Sequence, residues 1–140
     1  MPLKRRLKST KPDGKRRTRA SYVTAAQKEV NRYIRLRDRN KPCISCGTWN
    51  AAWNAGHYFS TGSSPHLRFN LLNIHKQCVV CNMHLSGNLI RYRQNLVKKI
   101  GEDRVLVLES TLYRKQYTTD DLIRIRKIFK KRADWYAKRF

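Results

Sequence analysis

The residues able to do chemistry gather in the middle of this chain. Cys43-x-x-Cys46 and Cys78-x-x-Cys81 are separated by 31 residues, with His57 and Asn73 between the pairs and Asn82 and His84 just after the second. A C-x-x-C turn points two thiolates at one centre, and two such turns complete a tetrahedral all-thiolate site of the kind zinc prefers. A disulfide pairing is the rival. No apolar run approaches the length of a membrane span, and the N-terminal residues lack the apolar stretch of a signal peptide. A cytosolic location is therefore expected, where thiols stay reduced and clustered cysteines bind metal. A structural Zn2+ on Cys43, Cys46, Cys78 and Cys81 is therefore expected.

The other residues suit hydrolysis of a phosphodiester. Such a reaction needs a water activated near neutral pH, a task for a neutral imidazole. It also needs a hard cation to neutralise the phosphate and the leaving 3′ oxygen. His57, 11 residues after Cys46, is cast as the general base, and Asn82 as an oxygen ligand to Mg2+ or Mn2+. Asn73 would orient the base and its loop through side-chain to backbone hydrogen bonds. His84 is either a further metal ligand or a phosphate contact. Each has a plainer reading as well: His75 suits a buried hydrogen-bonding role beside the zinc, His66 a solvated turn, and Asn82 a helix cap.

The elements that must position these residues follow from periodicity. Tyr22, Ala26, Val30, Tyr33 and Ile34 share one face of a helix from Ser21 to about Asn40, and Pro42 marks its end. Asn54–Ser60 and Leu67–Leu71 read as two strands of a hairpin, with turn chemistry at Thr61-Gly62-Ser63-Ser64-Pro65. A long helix is expected to begin after Cys78, because Leu85, Leu89, Tyr92, Leu96 and Ile100 recur at helical spacing before Gly101. Residues 102–112 suit a short helix or a strand, the helix being preferred. Thr118 or Thr119 caps a final helix with Leu122, Ile125, Phe129, Ala133 and Tyr136 on its inner face. The fold class is thus α+β: mainly helical, with a central zinc-bound treble clef (the ββα-metal arrangement of HNH nucleases) and flanking helices. Residues 1–19 read as a disordered basic arm and 20–140 as a single domain.

Composition narrows the partners. The 140 residues hold 32 Lys and Arg against 9 Asp and Glu, a formal charge of +23. Self-repulsion of that size favours a polyanionic partner, and each phosphate contacted releases counterions. Arg16, Arg17, Arg68, Arg91, Arg93, Lys98, Lys99, Lys127, Lys130 and Lys131 are the candidate DNA contacts. An anionic membrane is the rival partner, but no lipidation signal accompanies the charge.

Three stretches carry a resemblance: K-P-C-I-S-C-G-T, then A-G-H-Y, then L-R-F-N-x-x-N-I-H-K-Q-C-V-V-C-N-x-H-x-S-G-N. Together they closely resemble the NinG/Rap family of lambdoid phage recombination proteins, from about Ser21 through the last helix. The resemblance implies a structure-selective endonuclease requiring a divalent cation and acting on Holliday junctions and D-loops in the cytoplasm of an infected bacterium. It also implies recombination proteins of phage or host as further partners. More distantly, the arrangement is similar to phage T4 endonuclease VII, whose base falls on His57 and whose metal-binding Asn falls on Asn82. Its metal-binding Asp falls on Gly56, which has no side chain. That leaves Asn54, His84 or a backbone carbonyl as second ligand, or a more weakly held metal. The resemblance implies a Cys-rich N-terminal extension, and in this sequence the basic arm is expected to stand in that position.

A junction nuclease cuts two strands of like polarity, so a homodimer is expected, with Ile128, Phe129, Trp135 and Tyr136 of the last helix contributing. Two readings compete with the nuclease: a non-catalytic zinc module that binds DNA or RNA, and an HNH enzyme with a different task. His57 together with Asn82 is what separates catalysis from mere binding.

Overall fold

The computed structural model describes residues 17–110 and 114–139. Most of the proposed basic arm, Arg16 included, lies outside the described residues. Helix α1 runs Arg19–Arg37. Thr18 starts it, its hydroxyl accepting from the Ser21 amide at 3.2 Å. Ala26, Val30 and Ile34, one turn apart, are fully buried. At its end the Asp38 carboxylate accepts from Arg37 Nε and Nη2, both at 2.7 Å, and from the Lys76 amide at 3.0 Å. Arg37 also donates to the Ile74 carbonyl at 2.9 Å, so an ion pair ties the helix end to the strand that follows in space.

Strand β1 (Trp53–His57) pairs antiparallel with β2 (Ile74–Cys78), in a register that sets Trp53 opposite Cys78 and His57 opposite Ile74. The hairpin exists, but its second strand is not Leu67–Leu71. Pro65 opens one 3-10 turn, and Asn70 caps the next by accepting from the Leu72 amide at 3.0 Å. This turn chemistry overrides the apolar content of 67–71. The true strand, I-H-K-Q-C, is polar in sequence yet buried at every position, so the expected alternation is absent.

The helix expected straight after Cys78 is also displaced. The chain first makes a wide turn over Val80–His84, then passes through left-handed Ser86, Gly87 and Asn88, and only then enters α2 (Leu89–Ile100). Tyr92 and Leu96 are fully buried, while Leu85 and Leu89, the start of the sequence stripe, are largely exposed. Gly101 closes α2 through its amide to Val97 O (2.9 Å), and α3 (Glu102–Glu109) follows as a helix. Helix α4 (Thr119–Arg139) is capped reciprocally: the Asp121 amide donates to Thr118 Oγ1 at 3.1 Å, and the Thr118 amide to Asp121 Oδ2 at 3.0 Å.

The hairpin lies between two helix pairs. Ala55, Phe69 and Ile74 form one core with Ala26, Val30 and Ile34 of α1 and Leu122 and Phe129 of α4. Ile44 and Leu67 form the other with Tyr92 and Leu96 of α2 and Val105 and Leu108 of α3. Within α4, Phe129 and Tyr136 stack edge-on against Tyr33 of α1, and Arg32 bonds Asp134 at 2.6 Å. Those two aromatic residues are thus engaged within the chain. Ile128 and Trp135 are the members of the proposed dimer surface that stay exposed. The observed architecture is mixed: helices around a two-stranded sheet, with the cysteines clustered at one end of it. No helix among the described residues is long and apolar enough to cross a membrane.

Candidate metal centre and adjoining cleft

All four cysteine Sγ atoms lie within 4.8 Å of one another, and those of Cys46 and Cys78 are 3.8 Å apart. A tetrahedron with Zn–S bonds of about 2.3 Å has sulfurs roughly 3.8 Å apart, so the cluster fits a tetrahedral metal such as zinc. The cysteines are unbridged. Backbone amides already point at the sulfurs: Cys78 N to Cys43 Sγ at 3.3 Å and Cys81 N to Cys78 Sγ at 3.4 Å. Asn88 Nδ2 adds a third, to Cys81 Sγ at 3.4 Å. Such donors stabilise thiolate charge. Burial alone would push the Cys43 thiol up, but the amides of Cys78, Cys46 and Ser45 outweigh it and bring the thiol to about 7.

Beside the cluster opens a cleft of about 540 Å3 whose walls include both His57 and Asn82. His57 ends β1, and its Nε2 lies 2.9 Å from the Arg68 carbonyl. A carbonyl only accepts, so Nε2 carries the proton and Nδ1 is left as the basic nitrogen. Burial holds the imidazole below its ordinary range, and the Arg68 charge adds to this while the carbonyl bond opposes it. His57 is therefore neutral at pH 7.

Asn73 is fully buried and hydrogen-bonded to backbone on the loop between β1 and β2. Its Oδ1 accepts from the Phe59 amide (2.8 Å), and its Nδ2 donates to the carbonyls of Phe59 (3.1 Å) and Leu67 (3.2 Å). It staples the two ends of the loop that carries the Arg68 carbonyl to His57. His75 is buried, bonded to the Tyr92 hydroxyl at 3.2 Å, and pushed down to about 3 chiefly by burial. Its role is structural.

The remaining site residues are not drawn into the cleft. Asn54 is out of phase with Ala55 and His57 along β1, and His84 is exposed on the turn after Cys81; neither lines the cleft. Among the described residues, no carboxylate lines the cleft. Gly56, in phase with Asn54 and out of phase with His57, has no room for one on its own face either: a Cβ built there falls 2.0 Å from Gln77 Oε1, so the volume an acidic side chain would need is taken by the Gln77 amide. Gln77 Nε2 donates to Ser45 Oγ (2.8 Å) and to the Gly87 carbonyl (2.6 Å), while its Oε1 has no partner among the described residues. One buried amide thus joins the first cysteine turn, the last cysteine strand and a wall of the cleft. Sequence reasoning missed it; its only signal was a glutamine adjoining a cysteine ligand.

The candidate DNA contacts divide. Arg91, Lys98, Lys127 and Lys131 are exposed. Arg93 is held by Glu109 at 2.9 Å, Lys130 by Asp134 at 2.8 Å, and Lys99 sits 3.6 Å from Asp38. Arg17 lies 6.0 Å from the Tyr22 ring centroid, and Arg68 is half-buried.

Comparison with known proteins places this geometry. The family described as bacteriophage lambda NinG protein matches residues 3–138. Protein ninG of Escherichia phage lambda is 52% identical over 104 residues, covering 74% of this chain and 51% of the relative. Protein ninG of Salmonella phage P22 gives the same identity and coverage, and that of Escherichia phage 933W is 51% identical over 74% of this chain and 52% of its own length. The chain therefore spans about half the length of the curated relatives it matches. No solved structure matches it. On the family match and these identities, the chain belongs to the NinG family of bacteriophage proteins.

Proposed function

We propose that this chain is a metal-dependent endonuclease that hydrolyses phosphodiesters in branched DNA, with His57 as general base. The observation that carries the reading is one juxtaposition. A neutral histidine with its Nε2 proton committed to the Arg68 carbonyl shares a cleft with the Asn82 amide. In this reading His57 Nδ1 takes a proton from water as the water oxygen bonds to phosphorus. The P–O3′ bond breaks, and solvent protonates the departing 3′ oxygen. Asn82 and the cleft hydroxyls of Ser60, Thr61 and Ser86 orient the phosphate and exclude competing water. Asn73 acts through the loop, holding the Arg68 carbonyl in place.

A catalytic Mg2+ or Mn2+, when bound, would neutralise phosphate charge. The donors present fit it only in part: Asn82 supplies an oxygen, but among the described residues no carboxylate lines the cleft, and Gly56 has no side chain to supply one. Such an ion would rest largely on water and on the substrate's own phosphate oxygens. The missing carboxylate is also what favours the second reading, a non-catalytic zinc-braced DNA or RNA binder. Branched DNA as substrate, a homodimer and other recombination proteins as partners belong to the same proposal.

The deciding assay compares a four-way junction with a linear duplex of the same sequence, in Mg2+ and in EDTA. The wild-type chain is expected to cut the junction in Mg2+ only. His57→Ala should lose cleavage by about 10²–10⁴-fold, the usual worth of a general base, while keeping junction affinity. Unchanged cutting by His57→Ala removes it from the role of base, and binding without cutting by the wild type leaves the non-catalytic reading.

A further inference from the structure

Arg68 takes part in two cavities. Its carbonyl orders His57 at the first cleft, while its side chain lines a second cavity of about 620 Å3. That cavity falls within the roughly 300–1,000 Å3 of small-ligand sites. Arg19 and Lys115 line it too, with Phe69, Tyr117 and Leu122. Nothing in the chemistry proposed above uses it.

Its cations lack opposite charges of their own. Arg19 donates to the Tyr117 carbonyl at 2.6 Å, Lys115 Nζ lies 5.3 Å from the Tyr117 ring centroid, and Arg68 reaches only a neutral amide oxygen, Gln27 Oε1, at 3.5 Å. Among the described residues no carboxylate forms an ion pair with any of the three; Asp121, near enough to feel Lys115, is spent capping α4. Half-burying a guanidinium without a counter-charge is unfavourable, and burial accordingly lowers the Arg68 pKa. The site is therefore predisposed to an anion. It also has an aromatic wall: the Tyr117 ring is backed edge-on by Phe69 at 5.0 Å between centroids. Cations beside a partly exposed aromatic ring are a combination that can bind a nucleotide out of its stack, phosphate on the cations and base on the ring.

We propose that this second cavity takes one unstacked nucleotide of a nucleic-acid strand, its phosphate held by Arg68, Arg19 and Lys115 and its base against Tyr117. The chain's charge of +23 favours a strand over a free mononucleotide. Fully paired duplex offers no such nucleotide without unstacking, whereas a branch point or bulge does. The cavity would therefore supply selectivity for branched DNA at the same residue, Arg68, whose carbonyl orders His57. This rests on the nucleic-acid reading above.

The test uses the full chain in EDTA, so that nothing is cut. A duplex with one unpaired 2-aminopurine and the fully paired duplex of matched sequence are titrated in parallel. Wild type is expected to change the 2-aminopurine fluorescence and to prefer the bulged DNA. Tyr117→Leu and Arg68→Gln should lose about tenfold in affinity for the bulge, within the range of one stacked base, and under twofold for the duplex. Tyr117→Phe, which keeps the ring and gives up only the hydroxyl bond to the His66 carbonyl at 3.2 Å, should retain the response. Equal losses on both DNAs, or no loss on either, overturn the proposal. So does displacement of the bulge by millimolar adenosine 5′-monophosphate, which would assign the cavity to a soluble nucleotide. A wild-type chain that binds no nucleic acid fails both readings; one that cuts junctions in Mg2+ while Tyr117→Leu and Arg68→Gln discriminate like wild type fails this one alone.

Discussion

The cysteine cluster and the cleft beside it are built by opposite strategies. In the cluster, each pair of ligands is set by a turn of four residues, and the two turns are brought together where the first packs on β2, through Ile44 N to Lys76 O and Gln77 Nε2 to Ser45 Oγ. In the cleft almost nothing is local. His57 is ordered by a carbonyl 11 residues away, the loop is stapled by Asn73 from 14 residues beyond Phe59, and the wall at Gly87 is held by Gln77. The difference teaches that a metal site can be specified by short motifs, whereas a cleft for chemistry depends on backbone groups that have no residue signature.

Breaking the cluster should therefore have the largest effect. The three buried cysteines form a core of their own, packed only by Trp53, so the metal substitutes for apolar burial at that end. Removing it with a chelator, or replacing Cys78 by Ser, is expected to abolish cooperative thermal unfolding of the region, since a structural zinc contributes folding energy outright. Metal analysis of the purified chain should give one zinc per molecule, and circular dichroism before and after chelation should show the collapse. A chelated chain that melts as before would mean the sulfurs brace nothing.

The contact between the two regions comes next. Gly56→Ala sets a methyl group 2.0 Å from Gln77 Oε1 and should destabilise by about 1–3 kcal/mol, the usual cost of overpacking. Gly56→Asp should cost more. Gln77→Ala removes the Oε1 and Cδ contacts but keeps the Cβ at 2.8 Å, so it should recover part of the Gly56→Ala loss, and alone it also leaves the Gly87 carbonyl one donor poorer. Denaturant unfolding of the two single variants and the double variant gives the coupling; additive losses would show that the amide and the glycine do not meet.

How much of this was legible beforehand follows from the same contrast. The cluster, both α1 and α4, and the short helix α3 could be read from spacing, because each is governed by local periodicity or by a motif. The strand Ile74–Cys78 could not: buried on both sides of a two-stranded sheet, its His, Lys and Gln bond to distant partners, so polarity there says nothing about exposure. The start of α2 was misread for a related reason. Leu85 and Leu89 keep helical spacing with Tyr92 and Leu96, yet the left-handed residues 86–88 break the helix so that Asn88 can reach Cys81. Arg68 was noticed as a charge, whereas its carbonyl, which carries the site argument, is a group every residue possesses.

A smaller effect is expected from pH, through His75. Burial, with Lys99 and Arg37 opposing its charge more than Asp38 favours it, holds this imidazole to about 3 against an ordinary 6.5. As pH falls below 6.5, the unfolded chain takes up a proton that the folded chain refuses until about 3. Stability contributed by the neutral ring is thus complete above pH 6.5 and lost towards pH 3, at up to about 1.4 kcal/mol per pH unit for one proton. His75→Gln, melted across pH 7 to 5, should show a shallower decline than wild type. Parallel curves would mean that the ring is protonated in the fold.

The smallest effects belong to the surface charges, where the structure separates residues that sequence groups together. Arg91 and Arg93 are neighbours on α2 with the same charge, but Arg93 is held by Glu109 at 2.9 Å while Arg91 is exposed. A cation that contacts a phosphate contributes close to one released counterion to the salt dependence of binding. Arg91→Gln should lower the slope of log affinity against log salt by about one, the mark of a single phosphate contact. Arg93→Gln should lower it by less, because in the free chain Glu109 already serves as its counterion, and the freed carboxylate should weaken binding to all DNA alike. Glu109→Gln then becomes informative: it releases Arg93 to phosphate and should steepen the slope. Identical slopes for all three variants would place the nucleic acid away from α2, leaving the exposed cations of α4 to carry it.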